Sequence, residues 1–226
     1  MPVLLASMFA LGFLHGLGMD HLMAITTLVR GGVTGRRASS VVWIGLKFGL
    51  GHMSLLAVAA GAGLLLRFTV PPRFELAMES TGGLLLVALG LWVLLDLRGD
   101  RWVIHAHSHE HEPSPPHTHV HLHRHGLTEH RHSHLAWGLG AVFALSGIRS
   151  LLVMVPVVLA PSFGVALLYI GLFGAGIVLS MSLYGWLAAC LLGLAGRNRI
   201  LDRWTGALTG TASLVMGGYW LFRSQI

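Results

Sequence analysis

Cysteine is almost missing from this chain. Cys190 stands alone among 226 residues, in an apolar run, which excludes an internal disulfide and a thiolate metal cluster. Charge is scarce as well: Asp, Glu, Lys and Arg make up 11% of the residues, against about 25% in a soluble domain. With 54% hydrophobic residues and a mean hydropathy of +0.71, the composition is that of a polytopic membrane protein. The phosphate-cradling pattern G-x-x-x-x-G-K-[ST] does not occur, so any use of ATP would need a partner. The N-terminal MPVLLASMFALGFLHG lacks a basic leader and a small-residue cleavage site, and reads as a retained first span.

What is abundant is apolar helix and histidine. Six apolar segments are expected, near 3–28, 40–66, 76–97, 135–160, 164–195 and 204–222. Each can cross a hydrocarbon core that takes about 20 helical residues. Leu, Ala, Val and Gly without strand alternation argue for helices over a barrel. The fifth segment is long and glycine-rich, so it is expected to be tilted, kinked or interrupted. The formal charge of +6 does not indicate nucleic acid, because the arginines flank the apolar segments. Ten lie in the connections after segments one, three and five, and Arg67, Arg73 and Arg223 lie opposite. That bias places both termini outside an inner membrane. The expected organisation is a first membrane half (1–97), a cytoplasmic loop (98–134) and a second membrane half (135–226).

The halves resemble each other at an offset of about 128 residues. His15-Gly16-Leu17 aligns with Phe143-Ala144-Leu145, and His21 with Arg149. Phe48-Gly49-Leu50-Gly51 aligns with Phe173-Gly174-Ala175-Gly176, and Thr81-Gly82, Gly90 and Trp92 with Thr209-Gly210, Gly218 and Trp220. Three spans per half would make this a 3+3 inverted repeat in an all-α fold, an arrangement that puts a substrate site near midplane where helices are interrupted.

The first span carries His15-Gly16-Leu17-Gly18-Met19-Asp20-His21. Ionisable groups inside a bilayer cost several kcal/mol unless paired or hydrated, which marks them as functional by default. His15 and His21 offer nitrogens, Asp20 an oxygen and Met19 a soft sulfur, a set suited to a first-row divalent metal. On an ideal helix His15 and Asp20 lie about 140° apart, so sharing one ion requires distortion, which Gly16 and Gly18 permit. The alternative is that Asp20 pairs with Lys47 or Arg149 while the histidines only hydrogen-bond. In the second span His52 follows two glycines that allow close helix approach, so it can join the first-span site. Arg149 is read as a counter-charge, and Ser180 and Ser182 as lining a path or bonding neighbouring helices.

H-x4-D-H in an early span, followed by a glycine-histidine-x-serine element, resembles the nickel/cobalt transporter families. The importers carry a histidine-alanine-x-aspartate-alanine-aspartate-histidine signature; His15, Asp20 and His21 match it, while Gly16 and Gly18 replace an alanine and an acid. The six-span layout and the histidine loop after span three are more similar to the efflux branch, which usually lacks an acid at the position of Asp20. The importers' later acidic motif is replaced by Ile177-Val178-Leu179-Ser180-Met181. The resemblance implies Ni2+ or Co2+ as transported substrate, with His15, Asp20, His21 and His52 on the path, and no cofactor.

Twelve of the fifteen histidines crowd the polar loop: His105, His107, His109, His111, His117, His119, His121, His123, His125, His130, His132 and His134. Prolines 113, 115 and 116 and the lack of apolar periodicity predict disorder without metal. Such a chain makes many exchangeable imidazole sites that select poorly, so it reads as a metal buffer beside the path. The expected function is transport rather than catalysis, with import favoured by Asp20 and efflux as the alternative. A membrane acyltransferase, which uses a histidine and an aspartate at similar spacing, or a metal-dependent hydrolase would be the enzyme alternative, but no soluble domain supplies a pocket. The expected partners are divalent ions and the lipid bilayer, not nucleic acid; a homo-oligomer or a metallochaperone is left open.

Overall fold

The helices follow from long apolar runs closed by conventional end signals. A computed structural model describes residues 2–33, 38–66, 72–97, 102–111, 114–124, 133–146 and 155–224. Its helices are α1 (Pro2–Gly16), α2 (Met19–Val33), α3 (Ala38–Leu66), α4 (Pro72–Asp96), α5 (Ser133–Ser146), α6 (Val155–Val158), α7 (Phe163–Ala195) and α8 (Arg199–Arg223). Pro2 and Pro72 open α1 and α4, where a missing N–H costs nothing. Ser162 caps α7 by accepting from the Val165 amide at 3.3 Å, and Asn198 caps α8 by accepting from Ile200 at 2.9 Å.

Among the described residues three helical stretches are long and apolar enough to cross a membrane: Trp43–Ala62, Leu76–Leu97 and Phe163–Ala195. α1 and the Met19–Arg30 part of α2 make a fourth as a broken pair, bent by 56°. So the first expected segment is not one helix but two. The break is at Leu17 and Gly18, where the Gly18 amide donates to the His15 carbonyl at 2.9 Å and Leu22 donates to the Gly18 carbonyl at 3.0 Å. A Cβ on Gly18 would meet Asp20 Oδ1 at 2.7 Å and His21 Nδ1 at 2.8 Å, so only glycine fits here. The fifth segment, by contrast, is one unbroken helix of 33 residues, about 50 Å long. That exceeds a core of about 30 Å, so length is absorbed by tilt or projection rather than by interruption. α5 carries the shorter apolar run Leu135–Ala144, and α8 is a helix of 25 residues.

Packing is set by glycine. α7 lies along α1 and α3, α3 along α5, and α4 along α8. A Cβ on Gly12 would overlap the Phe173 carbonyl, and one on Gly140 would overlap the Phe48 carbonyl. In the α4/α8 pair, a Cβ on Gly90 would come 2.7 Å from the Gly210 carbonyl oxygen and one on Gly83 would come 2.9 Å from that of Gly217. Backbone-to-backbone approach of this kind is how helices gain van der Waals contact where lipid offers no hydrophobic drive. Inside sit Phe48, Phe143, Phe173, Tyr169, Met8 and Ile177, while large apolar side chains such as Val58, Leu84 and Leu208 face outward.

One charged pair ties α2 to α8. Arg30, almost fully buried, places Nη1 3.1 Å from Asp202 and donates to the Thr205 hydroxyl at 3.2 Å. Gly206 makes room for it, since a Cβ there would sit 2.6 Å from the guanidinium carbon.

The polar loop departs from expectation. Instead of lacking regular structure, β1 (Trp102–His111) and β2 (Ser114–Arg124) pair as an antiparallel hairpin. The reason is in the sequence: histidine at every second residue is itself a period of two, the strand period, although it is not an apolar one. Pro115 and Pro116 open a strand of a two-stranded sheet, a place where a missing donor is tolerated. His125, His130, His132 and Arg149 lie outside the described residues.

Candidate metal centre

Three imidazoles from three helices converge at the α1/α2 break. His15 closes α1, His21 is in the first turn of α2, and His52 lies mid-way along α3. One ligand nitrogen from each lies within 4.8 Å of the other two. His21 and His52 are 3% and 0% exposed, and His15 is half-buried. His15 Nε2 is 3.2 Å from His52 Nε2. Two ligands at about 2.0–2.1 Å from a tetrahedral ion are about 3.3 Å apart, so this spacing needs little adjustment to hold one cation.

Neighbours set the ring roles. His52 Nδ1 is 3.2 Å from the Gly140 carbonyl, which can only accept, so Nδ1 carries the proton and Nε2 presents its lone pair. His21 Nδ1 is 2.8 Å from Asp20 Oδ1, a close pair but poorly aligned for a straight hydrogen bond. His21 Nε2 is buried with no partner among the described residues. A buried nitrogen without a partner is costly unless something comes to it, and a cation facing the other two rings would do so. Helix ends add to this: His15 sits at the negative end of α1, and Asp20 offsets the positive end of α2.

The apolar walls are phenylalanines. Phe173 tilts against His15 at 5.7 Å between ring centroids, Phe48 lies nearly parallel to His52 at 6.4 Å, and Phe143 packs on Phe48 at 5.8 Å. Apolar rings on both sides lower the local dielectric, which strengthens any charge interaction within.

A curated relative, the urease accessory protein UreH of Bacillus sp. (strain TB-90), is 26% identical over 232 residues, covering 95% of this chain and 88% of the relative. No family model matches the chain, and no solved structure matches it.

The remaining expected residues divide. Asp20 stands next to the cluster, its carboxylate against His21 and outside the three-nitrogen group. Its carboxylate contacts His21; of the counter-charges anticipated for it, Lys47 is half-buried on α3, five residues before His52, and Arg149 lies outside the described residues. Met19 is 57% exposed and turns away from the bundle. Ser180 is fully buried against Gly16, one residue from His15, but its hydroxyl donates to its own helix at Ile177. Ser182 likewise donates to Val178. Among the described residues neither bonds a neighbouring helix.

Sequence reasoning missed the Gly140 carbonyl and the phenylalanine walls as parts of the site. A backbone acceptor leaves no side-chain signal. Phe48 and Phe173 did leave one, as matched positions of the repeat.

Proposed function

We propose that this protein carries divalent transition-metal ions, Ni2+ and Co2+ foremost, across a membrane through His15, His21 and His52. The observation that carries the reading is the convergence of three imidazoles, one of them with a free buried nitrogen, at a broken helix inside an apolar bundle. Nitrogen donors of this kind suit nickel, cobalt, zinc and copper and are poor for calcium or magnesium. The relative's name points the same way, because urease is a nickel enzyme. The carrier reading is preferred to an enzyme on the likeness of 95% of the chain to an accessory protein.

In this reading the six segments form two inverted halves with termini outside an inner membrane. Support comes from Gly12 and Gly140, 128 residues apart, each packed on the carbonyl of a phenylalanine in the other half. Import is the favoured direction. A divalent ion entering down a potential of about 100 mV, inside negative, gains about 4.6 kcal/mol, enough to drive uptake without a second energy source. The hairpin acts as a cytoplasmic buffer. Its register sets His105 opposite His121, His107 opposite His119 and His109 opposite His117.

The test is uptake of Ni2+, Co2+, Zn2+ and Mn2+ into proteoliposomes by wild type and by His15→Ala, His21→Ala and His52→Ala. Nickel and cobalt flux in wild type, lost in each variant, is expected. Equal flux in all four proteins would end the proposal.

A further inference from the structure

The histidine cluster is bracketed along the bundle axis by two buried phenylalanine rings, and the bracketing follows from helix register. α3 and α7 run antiparallel: Gly45 meets Met181 and Gly185, Gly49 meets Val178 and Met181, and Gly174 meets Met53. Phe48 precedes His52 by four residues, about 6 Å toward the start of α3. Phe173 precedes Gly174, which puts it just past His52 in the other direction. α1 agrees with this placement. Gly12 packs on the Phe173 carbonyl and Gly16 on Ser180, so α1 runs parallel to α7 and His15 lies beyond Phe173 on the way to the break.

Phe48 therefore closes the side on which α3 begins, a few residues after Arg30, and Phe173 closes the side on which α7 begins. Both rings are essentially unexposed, at 0% and 1%. Each touches a histidine of the cluster: Phe173 meets His15, and Phe48 meets His52 as well as His21, edge-on at 6.5 Å. The two occupy matching positions in the F-G-x-G elements of the halves, and each has its carbonyl covered by a glycine from the opposite half.

We propose that Phe48 and Phe173 are the two plugs of the metal path, one for each face of the membrane. With both seated the site is occluded. Withdrawal of Phe48 opens it toward the arginine-rich face, and withdrawal of Phe173 opens it toward the other. The inference rests on the transport reading above and adds which side chains separate the site from each aqueous phase.

The experiment uses the purified full chain, with Ni2+ as probe. Ni2+ binding in detergent is measured first, then Ni2+ flux in proteoliposomes containing a metal-sensitive dye. Binding at wild-type stoichiometry is expected for Phe48→Ala, Phe173→Ala and the double variant. The double variant should leak Ni2+ at least tenfold faster than either single one, since each single variant keeps one plug. Phe48→Trp and Phe173→Trp, which enlarge the ring, should bind Ni2+ but lose at least tenfold in flux. A double variant that binds Ni2+ and transports at the wild-type rate would overturn the proposal. If the alanine double variant does not fold, unchanged flux in the tryptophan variants overturns it instead. Failure of wild type to bind or move Ni2+ would count against the transport reading itself, a separate result.

Discussion

Asp20 shows how little a residue's type says about its task until its neighbour is known. Its carboxylate was expected to hold metal; in the structure its Oδ1 lies 2.8 Å from His21 Nδ1, where it can orient that ring. Carboxylates behind metal-binding histidines fix the tautomer and raise ligand basicity, and their loss typically costs about 10–100-fold in affinity. In a chain lacking 105–134, Asp20→Asn should therefore weaken Ni2+ binding by about that factor while leaving one ion per chain, as titration calorimetry would show. His21→Ala should abolish stoichiometric binding. If Asp20→Asn abolished it as completely as His21→Ala, Asp20 would be a ligand after all.

Among the elements, glycine decides which helices meet. Gly12 and Gly140 each abut a carbonyl, whereas nothing lies within 4 Å of a Cβ on Gly61 or Gly171. Gly12→Ala and Gly140→Ala should lower the melting temperature in detergent, with overpacking costing about 1–3 kcal/mol. Gly61→Ala and Gly171→Ala should hold or raise it, since alanine gains up to about 1 kcal/mol of helix propensity. Equal melting of all four would remove packing as the role of these glycines. The Arg30–Asp202 link belongs to the same scale. Asp202→Ala leaves a buried guanidinium with only Thr205, so it should destabilise; Arg30→Met with Asp202→Leu should destabilise less, because replacing both partners of such a pair with apolar residues is often tolerated. The same melting curves decide between these outcomes.

For the whole molecule, the membrane bundle and the histidine hairpin are separable in sequence. Deletion of 105–134 should leave Ni2+ flux within about twofold of wild type while lowering the number of Ni2+ ions bound at saturation, because loose imidazole pairs add capacity rather than selectivity. Abolished flux would move the hairpin from buffer to path. Flux should also rise when an inside-negative potential is imposed, at about 2.3 kcal/mol per charge per 100 mV. A rate indifferent to potential would point to electroneutral coupling and favour the export alternative.

The sequence by itself determined the class of molecule and its vocabulary: apolar runs of spanning length, arginines at their ends, and histidines where a bilayer protein has little reason to keep them. It located His15, Asp20, His21 and His52, and it held the reason for the helix break, since Gly18 stands where no Cβ fits. Those features are local, written in composition and spacing. Only the tertiary structure decided that α7 runs unbroken through 33 residues, that the three rings meet within 4.8 Å, and that Gly140, 88 residues from His52, fixes its tautomer. Contacts between distant helices depend on which glycines face each other. A one-dimensional pattern of apolar residues, nearly uniform around each helix, does not encode that facing.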